Sequence, residues 1–240
     1  MTFITSSTRM GEALERARQH WRNLPTVGEQ SALTLTKPKI TIAISREAGA
    51  RGTTLANKVG QLLGWPVYNR ELLKHISETS GLKLALLESV DEKCSSWLED
   101  CMDRLLATPH ISQATYARNI MHTVMSLSAL GNCIIVGRGA AQILPPETAL
   151  RVRLVGPENE RIAYVQRKFA LPENEATKWV RDKDRERTEY ICKTFLKNVT
   201  DPTGYDLTLN MSRIPVEVAA DIVREGVKAW QERLVTQQHK

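Results

Sequence analysis

Between Lys39 and Gly64 the chain reads KITIAISREAGARGTTLANKVGQLLG: a β-branched apolar run, a loop of small residues and an amphipathic helix follow one another directly. This layout predicts a buried strand that turns straight into a helix, so the rest of the fold must be arranged around that unit. From Ala48 to Ala50 the loop Ser45–Thr54 has almost no side-chain bulk. Backbone N–H groups there can close on phosphate oxygens at the positive end of the following helix. Taken alone, the loop also reads as a plain glycine turn between strand and helix.

Four more short apolar runs, 66–68, 133–136, 150–155 and 206–209, predict buried strands, and helical patterns lie between most of them. Strands alternating with helices imply a parallel sheet. Residues 71–130 are almost entirely helical in pattern and form an insertion. Residues 157–200 are helical and dense in charge, and 216–234 reads as a closing amphipathic helix. Residues 1–38 form an appended arm: a helix around Met10 to Trp21, then a loop with Pro25, Gly28 and Pro38. That helix is expected to pack on the core or on a second subunit, which makes the arm a candidate contact for a homo-oligomer.

A chain of 240 residues can bury a sizeable core as one domain. Cys94, Cys101, Cys133 and Cys192 show neither C-x-x-C nor metal-ligand spacing, so reduced thiols are expected. The net charge of +6 is spread along the chain, and aromatic residues are not interleaved with basic ones. Phosphorylated small molecules are therefore the expected partners rather than nucleic acid. No apolar stretch approaches the ~20 residues that span a bilayer, and the N-terminus lacks a secretory pattern, so the cytoplasm is the expected location. His75, His110 and His122, with Trp65, Trp97, Trp179 and Trp230, read as packing or surface residues.

In open parallel sheets, ligands sit beyond the carboxyl ends of the strands. The residues in that place are Arg46 to Thr54, Asn69 and Arg70, Gly137-Arg138-Gly139, 157–161 and 210–213. Several arginines therefore meet at one rim, and their planar forks suit phosphate. Against the phosphate-loop pattern G-x-x-x-x-G-K-[ST], Ser45 falls on the first glycine, Ala50 on the second, Arg51 on the lysine and Gly52 on the hydroxyl, with Thr53 one step later. In the charged run 181–187, Arg181, Asp184, Arg185 and Thr188 recur at helical spacing and are expected on one face. Local ion pairs on a solvated helix are the other reading of that run.

Five segments in order resemble the cytidylate kinase-like proteins, a branch of the P-loop nucleoside monophosphate kinases. They are ISREAGARGTTLA, GWPVYNREL, IIVGRGAAQIL, VRDKDRERTEYICKTF and DPTGYDLTLNMSRIPVEVAADIV. The resemblance covers roughly residues 39–234. It implies a three-layer α/β P-loop NTPase fold with a five-stranded parallel sheet flanked by helices, a helical acceptor-side insertion at 71–130 and a helical lid at 157–200, all within a kinase domain at 39–240. It also implies ATP-dependent phosphoryl transfer with Mg²⁺, nominally to CMP or dCMP. By the same resemblance Ala48, Gly49, Ala50, Arg51, Gly52, Thr53 and Thr54 hold the donor, Thr53 being nearest the metal. Asn69, Arg70, Arg138 and Asp184 bind the acceptor, and Arg51, Arg138, Arg181, Arg185 and Arg187 bear on the transferred group. Arg51 stands where the family carries lysine, Gly139 where it carries aspartate, and Asn69 where an acidic residue is frequent. A nucleotide-binding regulator, or a kinase of another small acceptor, are the alternative readings.

Overall fold

The computed structural model describes residues 6–22, 38–88 and 114–238. Pro25, Gly28, Cys94, Trp97, Cys101, His110 and the middle of the 71–130 insertion lie outside the described residues. Strands β1 (Thr41–Arg46), β2 (Val67–Tyr68), β3 (Cys133–Val136), β4 (Ala149–Val155) and β5 (Leu207–Asn210) form one sheet in the order β2-β3-β1-β4-β5. All neighbours run parallel. The expected five-stranded parallel sheet is thus present, and the differences are at strand ends. β1 runs on through Ser45 and Arg46 because they pair with Arg153 and Leu154 of β4. β5 starts after Asp206, whose carboxylate instead accepts from the Arg151 N–H at 2.7 Å and pairs with its guanidinium at 2.9 Å.

The strands are short and apolar because both faces are covered, as parallel sheets require. Ile40, Ile42 and Ile44 of the β1 segment, with Ile134, Val136, Val152 and Leu154, pack on α2 (Gly52–Leu63) and on the last helix, which supplies Ala219, Ala220, Val223 and Val227. The opposite face, including Ala43 and Ile135, meets α3 (Arg70–Glu78), α4 (Ser80–Glu88) and α5 (Ala114–Leu130) through Leu72, Ile76, Leu86, Ile120, Val124 and Met125. After β3 comes the short α6 (Ala140–Ile143). After β4 come α7 (Glu158–Phe169) and α8 (Glu173–Phe195), separated by Ala170 at φ 52 and by Pro172. Proline has no N–H to continue a helix but suits the start of one. α9 (Val216–Gln238) closes the fold. Among the described residues no helix is long and apolar enough to cross a membrane.

The helix expected in the N-terminal arm is α1 (Ser6–Arg22), and it packs on its own core through buried Ala17 and Trp21. The Trp21 indole N–H donates to the Tyr68 hydroxyl at 3.1 Å. His20 Nε2 lies 2.9 Å from the Gly131 carbonyl oxygen, which can only accept, so Nε2 carries the proton and Nδ1 accepts from the Tyr68 hydroxyl at 3.1 Å. Burial lowers the pKa of His20, with the Gly131 carbonyl opposing and Lys39 adding to the fall. A base whose pKa is depressed on folding lends stability that is present above its unfolded value, about 6.5, and is lost as pH falls through the folded one. Melting temperature is therefore expected to drop on acidification from pH 7.5 to 5.5, and His20→Gln to flatten the drop. An unaltered pH profile in the variant would contradict this linkage.

Candidate active site

The loop after β1 is shaped by two left-handed residues. Gly49 has φ +80, and a Cβ there would stand 2.6 Å from the Arg161 carbonyl oxygen, so only glycine fits. Arg51, at φ 56, is the N-cap of α2. Ala48 and Ala50 are buried, whereas Thr53 and Thr54 are exposed on the first turn of α2. The Ala50 N–H donates to Glu47 O at 3.2 Å and the Ala48 N–H to Asp184 Oδ1 at 2.7 Å. No described residue accepts from the N–H groups of Gly49, Arg51, Gly52, Thr53 or Thr54. A run of free amides at the start of a three-turn helix is an anion cradle, and one rim amide already holds a carboxylate.

That carboxylate belongs to a buried network centred on Arg161, a residue the sequence marked only as part of the rim. Its guanidinium donates to the carbonyls of Ala48 and Gly156, each at 2.8 Å, and to Asp184 Oδ2 at 2.6 Å. Glu47 Oε2 lies 3.3 Å away, itself accepts from the Gly156 N–H at 3.0 Å, and Glu47 stands 3.7 Å from Arg153. The loops after β1 and β4 are thereby tied to α8. Ala48 also packs with Val165 of α7 and with Ala176 and Val180 of α8.

A second group of residues lies beyond β2 and β3. Arg138, at φ 54, follows β3 between two glycines, and its guanidinium lies 5.4 Å from the centre of the Tyr116 ring. Its Nε and the Tyr190 hydroxyl are buried and have no hydrogen-bond partner among the described residues. Arg70 is exposed at the first position of α3; the Asn69 side chain caps that helix by accepting from the Leu72 N–H at 2.9 Å. Arg70, Glu71, Lys74, Glu78, Tyr116 and Arg138 line an open cleft of about 490 Å³. Arg187 reaches in from α8 and donates to Arg46 O at 3.1 Å. Its pKa is lowered chiefly by burial, with Asp184 opposing and Arg153 and Arg70 adding to the fall. The half-buried Arg46 drops to about 9, first through burial and then through Arg187, Arg70 and Arg138, against Glu71. Four arginines thus repel one another across one space, an arrangement that an anionic ligand would stabilise.

The other arginines singled out from the sequence lie apart from this group. Arg181 pairs with Glu158 at 2.7 Å and Arg185 with Asp182 at 2.7 Å, both with side chains about two-thirds exposed at 66% and 68%. Arg51 sits 5.2 Å from the centre of the Tyr164 ring. The spacing grouped Asp184 with Arg181, Arg185 and Thr188. In the structure Asp184 shares the inner face of α8 with Val180, Arg187 and Ile191, while the other three are exposed. Burial of Val180 and Ile191 decides which face turns inward.

Among the described residues no group of three His, Cys, Asp or Glu could hold a metal. The nearest carboxylates, Glu47 and Asp184, are engaged by arginine. Thr53, exposed on the first turn of α2, carries the first hydroxyl after the loop.

The model of the cytidylate kinase-like family matches residues 41–213. No curated protein matches the chain. Among solved structures, an uncharacterized protein from Eubacterium ventriosum ATCC 27560 is similar at 20% identity and a TM-score of 0.64, covering 80% of this chain and 99% of that one. A shikimate kinase from Acinetobacter baumannii, in complex with shikimate, matches at 12% identity and a TM-score of 0.44, over 80% of this chain and 95% of that one.

Proposed function

Because the chain belongs to the cytidylate kinase-like family, we propose that it is a nucleotide-kinase-type phosphotransferase that moves the γ-phosphoryl group of ATP to the phosphate of a nucleoside monophosphate, CMP or dCMP first. The observation that carries this reading is the gathering of Arg70, Arg138 and Arg187 around Arg46 at the end of β1, the strand that leads into the loop with the free amides of residues 49 and 51–54. In this reading the amides would hold the donor phosphates and the Thr53 hydroxyl would help hold their Mg²⁺. Arg70 and Arg138 hold the acceptor phosphate. An oxygen of that phosphate attacks the γ-phosphorus as the bond to the bridging oxygen breaks, and the electron pair leaves on ADP. The attacking oxygen is already ionised, so no protein base is needed; charge and position do the work. Arg187 would bear on the transferred group, and α7 and α8, tied to the loop by Arg161 and Asp184, would keep out water that would otherwise hydrolyse the donor. Mg²⁺ supplies neutralisation of charge on the donor oxygens.

Gly139 bears on how the acceptor base is read. It has φ +74, and a side chain there would run into the Phe195 ring. No carboxylate follows Arg138 in the chain, so any contact to the base or sugar must come from another position. The test is ADP release by purified protein given ATP, Mg²⁺ and each nucleoside monophosphate in turn. CMP or dCMP is expected to give the highest rate. A protein that binds ATP yet forms no ADP above background with any acceptor is a regulator instead.

A further inference from the structure

Arg46 ends β1, and its side chain follows an unusual course. A Cβ on Gly52, the first residue of α2, would stand 2.8, 3.2 and 3.3 Å from Cγ, Cβ and Cδ of Arg46. The arginine stem therefore crosses the face of Gly52 from which a side chain would emerge. Its guanidinium continues to Gly137, where a Cβ would collide with Nη1 and lie 3.0 Å from Cζ. Two glycines, one at the start of α2 and one before Arg138, thus make the slot that this side chain fills. Among the described residues no carboxylate pairs with the guanidinium and nothing accepts a hydrogen bond from it.

The backbone also sets the register of the phosphate-loop pattern. The left-handed φ of 56 at Arg51 is the conformation that a glycine at the end of such a loop serves, and α2 starts at the next residue. Aligned on that turn, G-x-x-x-x-G-K-[ST] places Arg46 and Arg51 on the glycines, Gly52 on the lysine and Thr53 on the hydroxyl. The lysine position is then a glycine, and the room beside it is taken by an arginine from the strand. Arg51, the other candidate, is directed toward Tyr164. We infer that Arg46 is the cation that meets the terminal phosphate of the donor, delivered over Gly52 into the place a lysine on that residue would occupy. This rests on the proposed kinase function. The planar fork adds what an ammonium lacks: one edge for the donor phosphate and another for a phosphate held by Arg138.

Titration calorimetry with ATP and ADP, each with Mg²⁺, tests the assignment. The wild-type protein is expected to prefer ATP. Arg46→Met keeps the stem on Gly52 but removes the charge; it is expected to weaken ATP about tenfold to a hundredfold, to leave ADP within about threefold and not to lower the ligand-free melting temperature. Arg46→Lys keeps part of the preference for ATP. Arg46→Gly is expected to lose the preference, and adding Gly52→Lys to that variant to restore much of it. Arg46→Met with wild-type preference, or a preference abolished by Arg51→Ala alone, overturns the assignment and leaves the kinase reading intact. A wild-type protein that binds neither nucleotide overturns both.

Discussion

Arg161→Ala is expected to cost the folded protein about 3 kcal/mol and to release α8 from the loop after β1. Truncation takes the shared cation from Glu47 and Asp184 at once, leaving Glu47 with Arg153 and the Gly156 N–H and Asp184 with the Ala48 N–H, and it leaves the carbonyls of Ala48 and Gly156 without their donor. Removal of one member of a buried ionic network costs about 3–5 kcal/mol, because the remaining charges stay desolvated and unpaired. Here the two carboxylates keep 25% and 29% of their side-chain surface in water, which places the effect at the lower end. Arg161→Lys is expected to recover little, since a single ammonium cannot reach four acceptors spread around a planar fork. Urea denaturation followed by circular dichroism reads the loss directly. A change under about 1 kcal/mol would mean that the apolar contacts of Ala48 with Val165 and Val180 hold the segment without the arginine.

Arg138→Ala is expected to lower kcat/KM for the acceptor about a hundredfold to a thousandfold, chiefly through KM, while ATP binding stays near wild type. The residue has an orphaned Nε in a buried setting, with no carboxylate among the described residues paired to its charge, so little of its interaction energy is spent on them. Alanine tolerates φ 54 no worse than arginine does, and the backbone is expected to keep its course. Steady-state rates at saturating ATP and varied acceptor give the split between KM and kcat. An unchanged acceptor KM in an active variant would remove Arg138 from the acceptor site.

The elements most legible in the sequence were those fixed by local composition. Runs such as Cys133–Val136 are apolar throughout because they are covered on both faces, and the small residues at 48–50 pointed to the loop. Strand ends were less visible, since Ser45 and Arg46 are polar and are held in β1 by the ladder to β4. The period of α8 was readable in its charges, yet its inward face was set by Val180 and Ile191, two ordinary apolar residues outnumbered by ions. Arg161 showed only as one of the rim residues, not as the centre of a network: its partners come from the loop after β1, the loop after β4 and the middle of α8, and only folding brings them together. Arg46 was hidden differently. A pattern match weighs each position separately, whereas here a side chain from one position occupies the room vacated by another.

The docking of α1 and α9 also separates ancestry from self-sufficiency. The family signature ends at residue 213 and begins at 41, but Ala17 and Trp21 lie before it and Ala219, Ala220, Val223 and Val227 after it, all sealed in the interior. A fragment trimmed to residues 41–213 would lose two of its walls and lay bare the apolar faces they roof.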